Sequence, residues 1–159
     1  MSKDVNYTLG VLRIALGLIF LWAFFDKLFG LGFNTARDKS WLLGNSPTSG
    51  FLSSLNGWFS SVFNPLAGSV LVDWLFMLGL LLIGLVLVLG IVVNLASYSG
   101  VLLLFLMWLA SLPLEHHLFL DEHIIYLIVL LLITFTNAGD YLGFGKSWKK
   151  LVKKNKWLN

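Results

Sequence analysis

Two kinds of stretch alternate along this chain. Long runs with almost no polar residue, Leu9 to Leu28, Leu71 to Leu89, Leu95 to Leu112 and Ile124 to Phe135, are separated by shorter polar or mixed segments. About 20 apolar residues of helix cross the hydrocarbon core of a bilayer. The runs therefore predict four membrane helices over about 9–29, 70–89, 95–112 and 121–136. They form one all-α domain, an antiparallel transmembrane bundle covering 1–159. In the first run Gly10, Arg13, Gly17, Phe20 and Phe24 recur at helical spacing and share a face, while Ala15, Trp22 and Asp26 fall on another. Small residues on the first face allow close helix approach. In the second run Asp73, Met77, Leu80 and Gly84 share a face, which turns Asp73 into the bundle. Pro113 marks the end of the third run, and Gly139 is the expected C-terminal cap of the fourth.

The segment 30–68 has a different texture. Phe51, Leu52, Leu55, Trp58, Phe59 and Val62 follow helical spacing, with Ser53, Ser54, Asn56, Ser60 and Ser61 opposite. This pattern predicts an amphipathic helix lying at the membrane interface over the mouth of the bundle, at the depth tryptophan prefers. Asn45-Ser46-Pro47-Thr48 reads as a turn before it.

Composition agrees with a membrane protein. The chain is 58% apolar, against about 45–50% for a soluble domain. It has no cysteine, which excludes disulfides, thiolate metal sites and a dithiol redox centre. The net charge is +3, and Lys146 to Lys156 carries six lysines and no acid. Such a flank after a membrane segment fixes orientation and is a poor nucleic-acid site. Four spans with a basic tail over 140–159 predict a multi-pass protein of the cell membrane with both termini cytoplasmic. The first run is too long for a signal-peptide core and contains Arg13, so it is expected to be retained. Arg13 is costly in lipid without a partner, and Asp140 is the expected one.

The four-span count gathers the remaining polar groups at one outer rim. Asp26 and Lys27 close the first span, and Asp73 opens the second. Glu115, His116, His117, Asp121, Glu122 and His123 join the third and fourth spans, and all three histidines of the chain are here. Tyr126 lies one turn deeper than His123 on the same face. His123, inside a span, is the strongest single candidate for function. Asp121 suits two roles, the N-cap of the last helix and the partner that orients the His123 ring. His117, Asp121 and His123 offer two imidazoles and a carboxylate, but their spacing matches no strong metal motif. A haem within the bundle needs histidines at mid-depth, where this chain has none.

Several short motifs carry a resemblance. Arg13, Gly17 and Phe20, followed by Asp26-Lys27 and Gly30, resemble the DoxX/DoxD family of small four-span membrane proteins. Trp41-Leu42-Leu43-Gly44, the run from Ser46 to Leu52, and Asp121-x-His123-x-x-Tyr126 extend the likeness to nearly the whole chain. The resemblance implies a subunit of thiosulfate:quinone oxidoreductase, which joins two thiosulfates into tetrathionate and passes electrons to membrane quinone beside a second subunit of DoxA type. On that reading His123, Asp121, Tyr126, Asp26 and Lys27 carry the reaction, and His123, Tyr126, Trp22, Trp74 and Asp73 hold the quinone. Lys27 and Arg37 would attract a dianion from water. Quinone is the expected cofactor, with no metal or haem. The partners are the bilayer, the quinone, the second subunit and, through glycine faces, further copies of the chain. Many relatives have no assigned activity, so a non-catalytic scaffold that anchors a partner enzyme is the competing expectation.

Overall fold

In the computed structural model, which describes residues 2–115 and 117–152, the apolar runs are helices and no described residue is in a strand. Helix α1 spans Lys3–Phe29, opened by the Ser2 hydroxyl, which accepts from the Val5 amide, and closed by Gly30 in the left-handed region. Helix α4 spans Val70–Leu89, α5 Val93–Ala110 and α6 Glu122–Phe135. Between α1 and α4 lie two 3-10 turns at Arg37–Lys39 and Trp41–Leu43, the short helices α2 (Ser49–Ser53) and α3 (Ser60–Phe63), and a third 3-10 turn at Asn64–Leu66. After α6 come a 3-10 turn at Ala138–Asp140 and helix α7, Gly145–Leu151. His116 and the lysines Lys153, Lys154 and Lys156 of the basic tail lie outside the described residues.

Helices α1, α4 and α5 are long and apolar enough to cross a membrane. Helix α6 has 14 residues, or about 21 Å of rise. Each helix packs on the next, α1 on α4, α4 on α5 and α5 on α6. The α1–α4 pair is antiparallel, since Gly17 meets Gly84 while Arg13 reaches Leu87. A Cβ on either Gly17 or Gly84 would come within 3.0 Å of the opposing backbone, so this close crossing depends on both being glycine. The buried α1 residues include Gly10, Arg13, Gly17, Phe20 and Phe24, the face that the spacing predicts. On α4 the buried set is Asp73, Met77, Leu80, Ile83, Gly84 and Leu87, which contains the predicted face of Asp73, Met77, Leu80 and Gly84. Phe20, Phe24, Met77, Leu80, Ile83 and Leu87 belong to the main core together with Leu130 and Ile133.

Three local expectations differ in the structure. The amphipathic pattern from Phe51 to Val62 is two short helices and not one. The break comes at Gly57, where a Cβ would lie 1.8 Å from the Leu112 carbonyl oxygen, and the Trp58 amide donates to that oxygen at 3.0 Å. A tertiary hydrogen bond to the end of α5 thus overrides the helical period. The left-handed residue after α6 is Asn137, with φ 51°, and not Gly139. Gly139 instead packs against Gly90, where a Cβ would sit 2.8 Å from the Gly90 carbonyl oxygen.

The third concerns Arg13, which is 0% exposed. Its guanidinium does not pair with Asp140. Its Nε donates to Ala138, Nη1 to Leu87 and Val88, and Nη2 to Tyr141 and Leu142, five carbonyl oxygens in all. A guanidinium has five N–H donors, so every one is used. Leu87 and Val88 are in the last turn of α4, where carbonyls have no partner within the helix and the helix dipole is negative. The arginine therefore ties the end of α4 to the chain leaving α6. Asp140 Oδ2 pairs with Lys149 of α7 at 3.0 Å.

Candidate ligand-binding site

At the opposite end of the helices, α6 begins with an N-cap that does two things. Asp121 Oδ1 accepts from the His123 and Ile124 amides at 3.1 and 3.3 Å, while Oδ2 faces His123 Nδ1 at 2.7 Å. The capping and orienting roles, alternatives in the sequence, are thus filled by the two oxygens of one carboxylate. With a carboxylate as acceptor, Nδ1 carries the hydrogen, and Nε2 is the ring nitrogen left for another partner. The His123 side chain is 17% exposed.

The last turn of α1 delivers two charges to this end, with different fates. Asp26 is buried, and its oxygens accept from the Phe33 and Asn34 amides at 3.2 and 3.0 Å. It fixes the turn that follows the helix. Lys27 is half-buried, with its ammonium 5.9 Å from the centroid of the Phe76 ring on α4. Asp73, in the first turn of α4, is also buried. Its Oδ1 accepts from the Ser46 and Thr48 hydroxyls at 2.8 and 2.5 Å. Two buried carboxylates therefore strap the loop 33–48 to the helices, one at each of its ends.

The strapped loop borders an open cavity of about 980 Å³ between itself, α2, α4, α5 and the start of α6. Its lining includes the polar residues Lys27, Asn34, Lys39, Asn45, Ser46 and His123 and the apolar residues Phe51, Leu66, Leu75, Phe76, Leu103 and Met107. Among the described residues, no carboxylate lines it. Lining residues are exposed in two directions. Leu75 and Leu106 are exposed on the flank of α4 and α5, and Asn34 and Lys39 are exposed on the polar loop. The cavity is thus amphipathic and meets both an apolar and a polar surface of the protein.

Of the residues expected in the site, His123 and Lys27 line this cavity, and Asp121 stands directly behind His123. Asp26 and Asp73 are near it but spend their oxygens on the loop. Tyr126 packs against the main core and is not part of the lining. Trp22 lies edge-on to Phe33 and Trp74 edge-on to Trp41, both outside the lining. Arg37 is exposed and outside it too. His117 Nδ1 accepts from the Phe119 and Leu120 amides, which closes the α5–α6 connection. Ligand-capable atoms of Asp121, Glu122 and His123 lie within 4.8 Å of one another, and the cap and the ring hydrogen bond account for the Asp121 and His123 positions.

Lys39, Asn34 and Asn45 are lining residues that sequence reasoning did not single out. The only sequence signal among them is Asn45, the first residue of the predicted turn at Asn45–Thr48, which gives no hint of where the loop folds. Comparison of the chain with protein-family models, with curated proteins and with solved structures returned no match.

Proposed function

We propose that this chain is the membrane subunit of a quinone-linked oxidoreductase, with the amphipathic cavity as its quinone site. The observation that carries the reading is the cavity itself. It meets both the lipid-facing flank, at Leu75 and Leu106, and the polar loop, and it contains a histidine held by a carboxylate. A scaffold whose polar groups only pair with one another requires no such space. The volume lies at the upper end of the ~300–1,000 Å³ range of small-molecule sites. The lining suits a quinone, with apolar walls for a ring and tail, and Lys27 and His123 for its oxygens.

A bound quinone accepts two electrons and two protons. The chain's share is to bind, orient and supply protons. Asp121 holds the His123 ring through Nδ1, which leaves Nε2 to exchange a proton with a ligand oxygen and recover it from water. Lys27 and Lys39 draw a small dianion to the water-facing side. With the resemblance to DoxD-type subunits, the reductant is thiosulfate, oxidised to tetrathionate together with a second subunit of DoxA type.

The same proposal fixes the topology. Helix α6 completes a fourth span, both termini are cytoplasmic, and the cavity end faces outward in the cell membrane with segment 30–68 at the interface. The alternative, a scaffold for a partner enzyme, draws on the exposed Phe33, Leu42, Leu43, Trp58 and Val62 of that segment. The deciding experiment is thiosulfate-dependent quinone reduction by purified protein, with and without the second subunit. Turnover supports the oxidoreductase. Partner binding with neither turnover nor quinone binding supports the scaffold.

A further inference from the structure

We propose that the cavity also binds an amphiphile with an acidic head, a long-chain carboxylate, and that this acid competes with the quinone. The competition rests on the quinone reading above, and binding of the acid does not. The charged residues of the lining are Lys27 and Lys39, and His123 is a further polar member. The nearest carboxylates lie outside the lining, although the Asp26 charge acts on Lys27. Asp26 is occupied by the Phe33 and Asn34 amides, Asp73 by the Ser46 and Thr48 hydroxyls, and Asp121 by its own helix and ring. Asp38, beside Lys39, is outside the lining.

A ligand in this space therefore meets cations with no competing carboxylate among the described lining residues, together with the apolar Phe51, Leu75, Leu103 and Met107. Lys27 differs from a surface lysine. It is half-buried at the end of an apolar helix, with its ammonium over the Phe76 ring, so an anion there is poorly screened by solvent. A neutral oxygen, as on a quinone or an alcohol, uses such a cation only as a hydrogen-bond donor. A carboxylate uses its charge as well. The flank opening at Leu75 and Leu106 admits an apolar chain from lipid. Quinone reduction would then be sensitive to free acids in the membrane.

The test is native mass spectrometry of the whole chain in a zwitterionic detergent, with oleate, oleyl alcohol or dioleoyl phosphatidate added. Oleate is expected to bind about tenfold more tightly than the alcohol, the step from a neutral to a charge-assisted hydrogen bond. Lys27→Met, which keeps the apolar stem over Phe76, is expected to remove that preference, weakening oleate binding about tenfold more than alcohol binding, which loses only a neutral hydrogen bond. Lys146→Met, at the other end of the molecule, is expected to leave both unchanged. Phosphatidate binding with the same Lys27 dependence supports the acid site with phospholipid as a second source. Equal binding of acid and alcohol, or a preference that survives both Lys27→Met and Lys39→Met, overturns the proposal. If oleate binds through Lys27 but fails to displace a short-chain quinone, the acid site stands and the shared quinone site falls.

Discussion

At one end of the helices a fully buried cation, Arg13, has a carbonyl oxygen for each of its N–H groups. At the other, Lys27, Lys39 and His123 line about 980 Å³ of open space. Both ends draw polar residues from distant parts of the chain. At the arginine end the donors are consumed by backbone that would otherwise lack partners, so the charge serves the fold. At the cavity end the carboxylates Asp26 and Asp73 are consumed in the same way, while the lysines and the histidine face the cavity. Charge alone therefore does not distinguish a structural residue from a functional one. What distinguishes them is whether the protein itself already supplies the partner.

The comparison breaks most visibly at Arg13. Arg13→Leu leaves five carbonyls, two buried and three partly buried, without their donor, a loss expected to cost about 3–5 kcal/mol. Thermal unfolding in detergent should show a much lower midpoint, and poor accumulation in membranes would agree. A variant that melts like the parent would mean that the arginine end is not structural.

Asp73→Ala comes next. It removes the acceptor of two hydroxyls and frees one end of the loop that borders the cavity. The expected loss is about 1–3 kcal/mol of stability, with ligand binding weakened and not abolished. Unchanged binding by the variant would separate the loop from the site.

Asp121→Asn sharpens the comparison, because asparagine caps a helix about as well as aspartate. Stability should change by no more than about 0.5 kcal/mol, as for a surface substitution outside a special site. Turnover should fall, since the ring loses the carboxylate on Nδ1. A fall in stability with turnover intact would make the residue a cap alone. The smallest effect is expected from Trp22→Leu, a position outside the cavity lining, where quinone binding should stay within twofold, well under the ~1.4 kcal/mol of a tenfold change.

Much of the scaffold was legible because lipid and core impose one period. The buried faces of α1 and α4 follow from glycine and polar residues three and four positions apart, read without any tertiary knowledge. What stayed hidden depends on backbone partners. The sequence points Arg13 to Asp140 because it displays side chains alone, and the partners of Arg13 are main-chain carbonyls. The break at Gly57 is set by the Leu112 carbonyl, which no local pattern records. Trp22 and Trp74, expected to hold the quinone ring, are outside the lining and lie edge-on to Phe33 and Trp41. Asn34, Lys39 and Asn45 reach the cavity only because Asp26 and Asp73 strap the loop, an arrangement that spacing cannot foretell.

Orientation can be checked by itself, since the chain has no native cysteine. A cysteine at Ser49 should react with an impermeant label from outside the cell, and one at Ser147 should not. The reverse pattern would turn the cavity to the cytoplasm.

The most direct measurement is equilibrium binding of a short-chain quinone to purified protein and to His123→Phe, with melting followed in the same samples. The ring nitrogens are lost and the volume is roughly kept. The account predicts an unchanged melting midpoint with binding weaker by about tenfold, the loss of one hydrogen-bonding partner in a partly desolvated site. Equal binding by the two proteins would contradict it.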